Sequence, residues 1–157
     1  MLLSLECGIW QPIRDADPEA RAIFQRHYSY RKYTDGRDPA KFIGPGEYMA
    51  LVTPHYDALF VWRKFINMRP QDHGVNCAIF RNESEHRSSD MIREAVALAW
   101  DRWPSERLYT YVNPRKIESP NPGYCFKCAG WSECGKTSKG LVVLELECAG
   151  YRAKEME

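Results

Sequence analysis

A histidine, a tyrosine and a serine stand side by side at positions 27–29, behind Arg26 and ahead of Tyr30, Arg31, Lys32 and Tyr33. An imidazole ionises near neutrality, so His27 is the candidate general base of this chain. Tyr28 and Ser29 are candidates to orient a substrate or to protonate a leaving group. The competing reading of His27 is a histidine on an apolar helix face with a satisfied ring nitrogen. Late in the chain, Asn113 closes an apolar alternating run and Tyr124 opens a short helix. Asn113 can hydrogen-bond an amine without deprotonating it. Tyr124 can take the proton-donating role in place of Tyr28, or simply pack with its hydroxyl at the surface. Between these two regions lie Arg81, Arg87, Ser88 and Ser89, at the expected start of a long helix. Cations, hydroxyls and a helix N-terminus together suit an anionic cofactor group, and a polar, well-capped loop is the alternative.

Five basic residues, Arg26, Arg31, Lys32, Arg37 and Lys41, are interleaved with Tyr28, Tyr30, Tyr33 and Phe42. Basic side chains meet phosphates while aromatic rings stack on bases, so this pattern suits contact with nucleic acid; a solvated loop anchored by a few rings is the other reading. Tyr30, Arg31, Lys32 and Tyr33 are accordingly the candidate substrate-binding residues, joined by Arg115 in the polar loop after Asn113. The overall charge is nearly balanced, with 22 basic against 21 acidic residues and a net charge of +1. That argues against a surface that coats nucleic acid indiscriminately and leaves local patches to do any binding.

Six cysteines raise the question of a metal or disulfide framework. Cys125 and Cys128 form one Cys-x-x-Cys pair, but Cys134 and Cys148 provide no second close pair, and a structural zinc site usually has two. The thiols are expected to be small hydrophobes and no metal is expected. His55, His73 and His86 fall in expected turns and receive no role.

The elements that must position these residues follow from pattern and punctuation. Residues 2–9 suggest a first strand rather than a signal peptide, since residues 2–5 form too short an apolar run and have no basic flank. Asp17, Pro18 and Glu19 supply a cap, a first-turn proline and a first-turn acid for a helix whose apolar face is Ala20, Ile23, Phe24 and His27. A long loop follows through Gly44 and Gly46. Strands are expected over 47–53, 58–65 and 75–81, the first two joined by a turn at Pro54 to Asp57. Ser88, Ser89 or Asp90 is expected to cap a helix with core positions Ile92, Ala95, Val96, Ala99 and Trp103. A strand over 107–112, a helix over 122–129 capped by Asn121 and closed by Gly130, and a hairpin of 131–137 with 141–147 complete residues 1–150 as one domain, with 151–157 a tail. With 157 residues, 44% of them hydrophobic, the chain has the size for one core. No apolar run approaches the roughly 18 residues of a membrane span. A cytoplasmic protein with no membrane partner is expected.

This order of elements, with a short late helix before Trp131, resembles acyltransferases of the GNAT class. The fold so implied is α+β, a mixed and mostly antiparallel sheet with flanking helices. In that class a glycine-bearing loop after the fourth strand holds the pyrophosphate of acetyl-CoA, but here the segment from Arg81 to Ser89 contains no glycine. Arg26-His-Tyr-Ser29, the Arg81-Asn-Glu-Ser84 segment leading to Ser88-Ser89, and Gly123-Tyr-Cys-Phe126 with Ala129-Gly-Trp131 look like the Mom family. These are phage DNA-modification proteins of GNAT-like fold that alter the exocyclic amine of adenine and serve to evade restriction. The resemblance implies a transferase acting on DNA, with acetyl-CoA or another acyl-type donor. It departs at two positions, where that family tends to carry an acid and a tyrosine and this chain has Asn113 and Phe126. The alternatives are a conventional N-acetyltransferase of a small amine or protein, and a binding protein that has lost catalysis.

Overall fold

The structure is a computed structural model that describes residues 8–66, 72–116, 121–149 and 151. Seven strands form one mixed sheet in an α+β arrangement. In chain order the elements are β1 (Gln11–Ile13), α1 (Pro18–Gln25), β2 (Glu47–Val52), β3 (Ala58–Lys64), β4 (Val75–Asn82), α2 (Ser88–Arg102), β5 (Leu108–Val112), a 3₁₀ turn (Pro114–Lys116), α3 (Tyr124–Cys128), β6 (Ser132–Lys136) and β7 (Val142–Leu146). The sheet order is β1-β2-β3-β4-β5-β7-β6. Every neighbouring pair is antiparallel except β4 and β5, which the crossover through α2 makes parallel.

Residues 58–62 of β3 are all buried, as befits a strand near the sheet centre with a helix on either face. On one face Met91, Ile92, Ala95 and Ala99 of α2 pack on Trp10, Phe60, Trp62 and Leu108. The indole N–H groups of Trp10 and Trp62 donate to the carbonyls of Met91 and Ala95, at 2.8 and 3.0 Å, so neither ring is buried with an idle donor. On the other face Ala20 and Ile23 of α1 pack on Leu59, Val61 and Ile79. Asp17 caps α1 by accepting from the amides of Glu19 and Ala20.

The feature that shapes the site is a bulge in β4. Val61 pairs with Ile79 while its neighbour Trp62 pairs with Cys77, so Ala78 is an extra residue on β4. A bulge bends its own strand and sharpens the local twist. Pairing with β5 runs from Val75 opposite Leu108 to Cys77 opposite Thr110 and stops there, although β4 continues to Asn82 and β5 to Val112. The two parallel strands therefore part at Ala78.

Several boundaries differ from the sequence expectation. Residues 2–7 of the expected first strand lie outside the described residues, Gly8 and Ile9 form a bend, and the first described strand is Gln11–Ile13 at the sheet edge, where Pro12 is tolerated. His27 is not on a helix face, because α1 ends at Gln25 and His27 sits in the following turn, its amide donating to the Phe24 carbonyl at 2.8 Å. None of Ser88, Ser89 and Asp90 caps α2: the cap position is Arg87, without a side-chain cap bond, and Ser88 is the first helical residue. The Ser88 hydroxyl is engaged instead by the amide of Asn82, at 2.9 Å. The late helix is five residues long and starts at Tyr124, because Gly123 adopts φ 75 and breaks the helical path that Pro122 would have begun. Gly130, at φ 98, takes the left-handed position expected of it. Of the tail, Tyr151 is described and its ring packs edge-on against Trp100 at 5.4 Å.

Candidate functional site

A cleft of about 350 Å³ opens where β4 and β5 part. Phe80 of β4, Thr110 to Val112 of β5, and Asn121, Tyr124 and Phe126 around α3 form its walls, and His27 and Tyr28 come down from the turn after α1. Thr110 donates from its hydroxyl to the Cys77 carbonyl at 2.9 Å, tying the strands together at their last shared rung. Gly123 lets α3 settle on the sheet, since a Cβ there would collide with the side chain of Leu144.

His27 and Tyr28 each lie beside one of the diverging strands. The His27 ring is near the backbone of Phe80, and its proton is on Nε2, because Nδ1 is an acceptor. Nδ1 then accepts from the Ser29 amide at 3.1 Å, with the Ser29 hydroxyl 2.7 Å away. Burial, and then the neighbouring Arg81 guanidinium, lower the His27 pKa from 6.5 to about 4. The imidazole is neutral at physiological pH. Tyr28 lies against the backbone of Asn113, whose hydrogen bond favours the phenolate, but burial outweighs it and the pKa is raised. Tyr28 is therefore a protonated hydroxyl. The two rings stack at 4.5 Å.

The sequence-derived candidates do not all converge. His27, Tyr28 and Tyr124 line the cleft, and Tyr124 stands 60% exposed at its mouth. Ser29 touches His27 but faces outwards into a second cavity. Asn113 contributes its backbone, while its side chain accepts from the Arg115 amide at 3.1 Å and so shapes the turn into the 3₁₀ segment. Arg115 itself is exposed and outside the cleft.

Arg81, Arg87, Ser88 and Ser89 are likewise outside the cleft lining. Arg81 binds Glu83 at 2.6 Å, and the same carboxylate receives two bonds from Arg26, each 2.7 Å. These two arginines, Arg26 foremost, hold the Glu83 carboxyl at about 2, well below its usual range. Ser89 is buried and Arg87 exposed. The loop is organised around Asn82, which accepts from the Ser84 amide and donates to the His86 carbonyl and the Ser88 hydroxyl. The amides of Glu83, Ser84 and His86 are all spent inside the protein. A pyrophosphate is held by free backbone amides, and these three are not free to hold one.

Beside the cleft, and beginning at Ser29, runs a groove of about 430 Å³ lined by Tyr30, Arg31, Lys32 and Tyr33. Those four expected substrate-binding residues are thus gathered in one place, with Arg37 and Lys41 opposite.

The cleft also contains residues that the sequence reading passed over. Phe80 supplies a ring and a carbonyl, and Cys77 and Cys125 supply thiols whose pKa burial pushes up, so they are uncharged. Thr110 carried a usable signal, a threonine in the middle of the run from Leu108 to Val112, where it is buried. Among the described residues no group of three or more His, Cys, Asp or Glu side chains is arranged to hold a metal ion, and the described cysteines are free thiols. No helix among the described residues is long and apolar enough to cross a membrane.

No protein-family model, no curated protein and no solved structure matches this chain.

Proposed function

We infer that this is a transferase with a GNAT-like fold that modifies the exocyclic amine of a nucleobase, in the manner of the Mom family, with adenine in DNA as the acceptor. The observation that carries the reading is the cleft at the parting of the parallel strands, walled by rings and closed over by the neutral His27 and the protonated Tyr28. A flat aromatic acceptor suits walls of Phe80, Tyr28 and Tyr124, and a base must leave its duplex to enter.

The state of His27 favours a nucleobase over an alkylamine. An alkylamine with a pKa near that of lysine, about 10.4, is protonated at neutral pH and must lose a proton before it attacks. A histidine held at about 4 is poorly suited to that task. The amine of a nucleobase is already uncharged, and its proton becomes strongly acidic only once the new bond forms. In this step the amine nitrogen bonds to the electrophilic carbon of the donor and the bond to the leaving group breaks. Tyr28 gives its proton to the leaving group, and the amine nitrogen gives up its own proton to water.

The reading is tested by expressing the protein in a bacterial host, digesting the DNA to nucleosides and searching by mass spectrometry for a species heavier than deoxyadenosine. A new nucleoside supports it, and its mass identifies the transferred group. DNA indistinguishable from that of cells without the protein contradicts it.

A further inference from the structure

The groove that starts at Ser29 is built from two kinds of side chain with one shared preference. Its lining includes five cationic residues against a single acid, Asp38, which Arg21 engages. Arg37 is held by Asp35 and lies 4.4 Å over the ring of Tyr33. Arg31 donates to the carbonyls of Tyr28 and Tyr30. Among the described residues Lys32 and Lys41 make no ion pair, so the groove keeps uncompensated positive charge. Its aromatic wall is ordered, with Phe24 stacked on Phe42 at 5.5 Å and meeting Tyr30 edge-on at 5.4 Å. Tyr33 is a large ring left 48% exposed.

Unpaired cations and an open aromatic face together fit a single-stranded polynucleotide better than a duplex, whose bases show no face to stack on. An acidic peptide would use the cations and leave the rings idle. Position adds a second constraint. Tyr28 lines the cleft and Ser29 lines the groove, so consecutive residues of one turn border both cavities. A nucleotide whose base occupied the cleft would present its neighbour to the groove.

We propose that the groove is a binding site for the nucleotide that flanks the modified one, with Lys32 and Lys41 on its phosphates and Tyr33 stacked on its base, so that the protein takes an unpaired strand of at least two nucleotides. This rests on the transferase reading for its meaning, but binding requires no donor and is measured separately.

The test is fluorescence anisotropy with a labelled 12-nucleotide single strand, DNA and RNA in separate arms, against the same sequence as duplex and against poly-glutamate. Wild-type protein is expected to bind the single strand at least ten-fold more tightly than the duplex. Tyr33→Ala should weaken that binding roughly ten-fold, as loss of one stacked base does. Lys32→Ala with Lys41→Ala should lower the magnitude of the salt slope by about 0.7 for each phosphate contact removed. All three positions are exposed, so melting temperatures should not move. Equal binding of duplex and single strand, variants that bind like wild type, or poly-glutamate bound as tightly as the oligonucleotide would each overturn the proposal. If host DNA carries no adduct but Tyr33→Ala still weakens strand binding roughly ten-fold, the groove stands and the transferase reading falls. If adduct forms equally with the groove variants, the converse holds.

Discussion

His27 carries two consequences that can be measured without knowing the donor. In the unfolded chain it titrates near its ordinary 6.5, and in the folded protein near 4, so the unfolded state binds more protons between those values. Stability is complete above pH 6.5 and declines as pH falls towards 4. The melting temperature should therefore drop across that window, and His27→Gln should remove this component of the drop. Glu83 acts in a lower window: its carboxyl moves from 4.5 to about 2 on folding, and the stability it contributes through Arg26 and Arg81 is lost as pH falls from 4.5 to 2. A melting curve followed from pH 8 to pH 3 should bend twice in wild type and once, at the lower position, in His27→Gln. A single bend at the lower position in wild type would refute the buried, neutral imidazole. For activity, the Tyr28 hydroxyl matters more than the His27 ring as a base. Tyr28→Phe should reduce product formation roughly 100-fold, the scale of a lost general acid, while the retained ring keeps the protein folded.

At the scale of elements, the site exists because an inserted residue turns one strand. Ala78 ends the pairing of β4 with β5 three rungs in, and everything beyond that point has to be satisfied by groups other than the neighbouring strand. His27 lies beside the backbone of Phe80 and Tyr28 beside that of Asn113, so the turn after α1 covers the mouth of the cleft. Gly123 matters in the same way for α3. Gly123→Ala must hold a left-handed φ and push against Leu144, which should cost about 1–3 kcal/mol in denaturant unfolding; a loss below 0.5 kcal/mol would mean that α3 does not rest where described. The helices and hairpins were readable in the sequence because their signals are local. Asp17 with Pro18 marks a helix start, and Ile92, Ala95, Val96 and Ala99 repeat at helical spacing. The bulge was not readable, since it is a property of how β3 and β4 pair and leaves no mark in the sequence of either. The contributions of Phe80 and Cys77 to the cleft were hidden for the same reason. The helix end at Gln25 was misjudged because His27 continues the apolar spacing of α1 while its ring serves the sheet instead.

For the molecule as a whole, a seven-stranded mixed sheet with helices on both faces opens into a cavity where β4 and β5 part, and a basic, aromatic groove adjoins it. The site candidates that the sequence grouped at 27–33 are held together there, whereas Arg81 and the start of α2 are turned to structural service by Glu83 and Asn82. Of the residues expected to hold a cofactor, Arg81 and Ser88 are engaged within the loop, and of those expected to meet substrate, Tyr30, Arg31, Lys32 and Tyr33 line the groove while Arg115 lies apart. The central claim is that group transfer to a nucleobase happens in the cleft between β4 and β5. It is tested most directly by nucleoside mass spectrometry of DNA from cells expressing, in parallel, wild-type protein and Tyr28→Phe at matched soluble levels and matched melting temperature. The account predicts a new, heavier nucleoside with wild type, reduced roughly 100-fold with the variant. The same adduct at equal abundance in both strains, or no adduct in either, would contradict it.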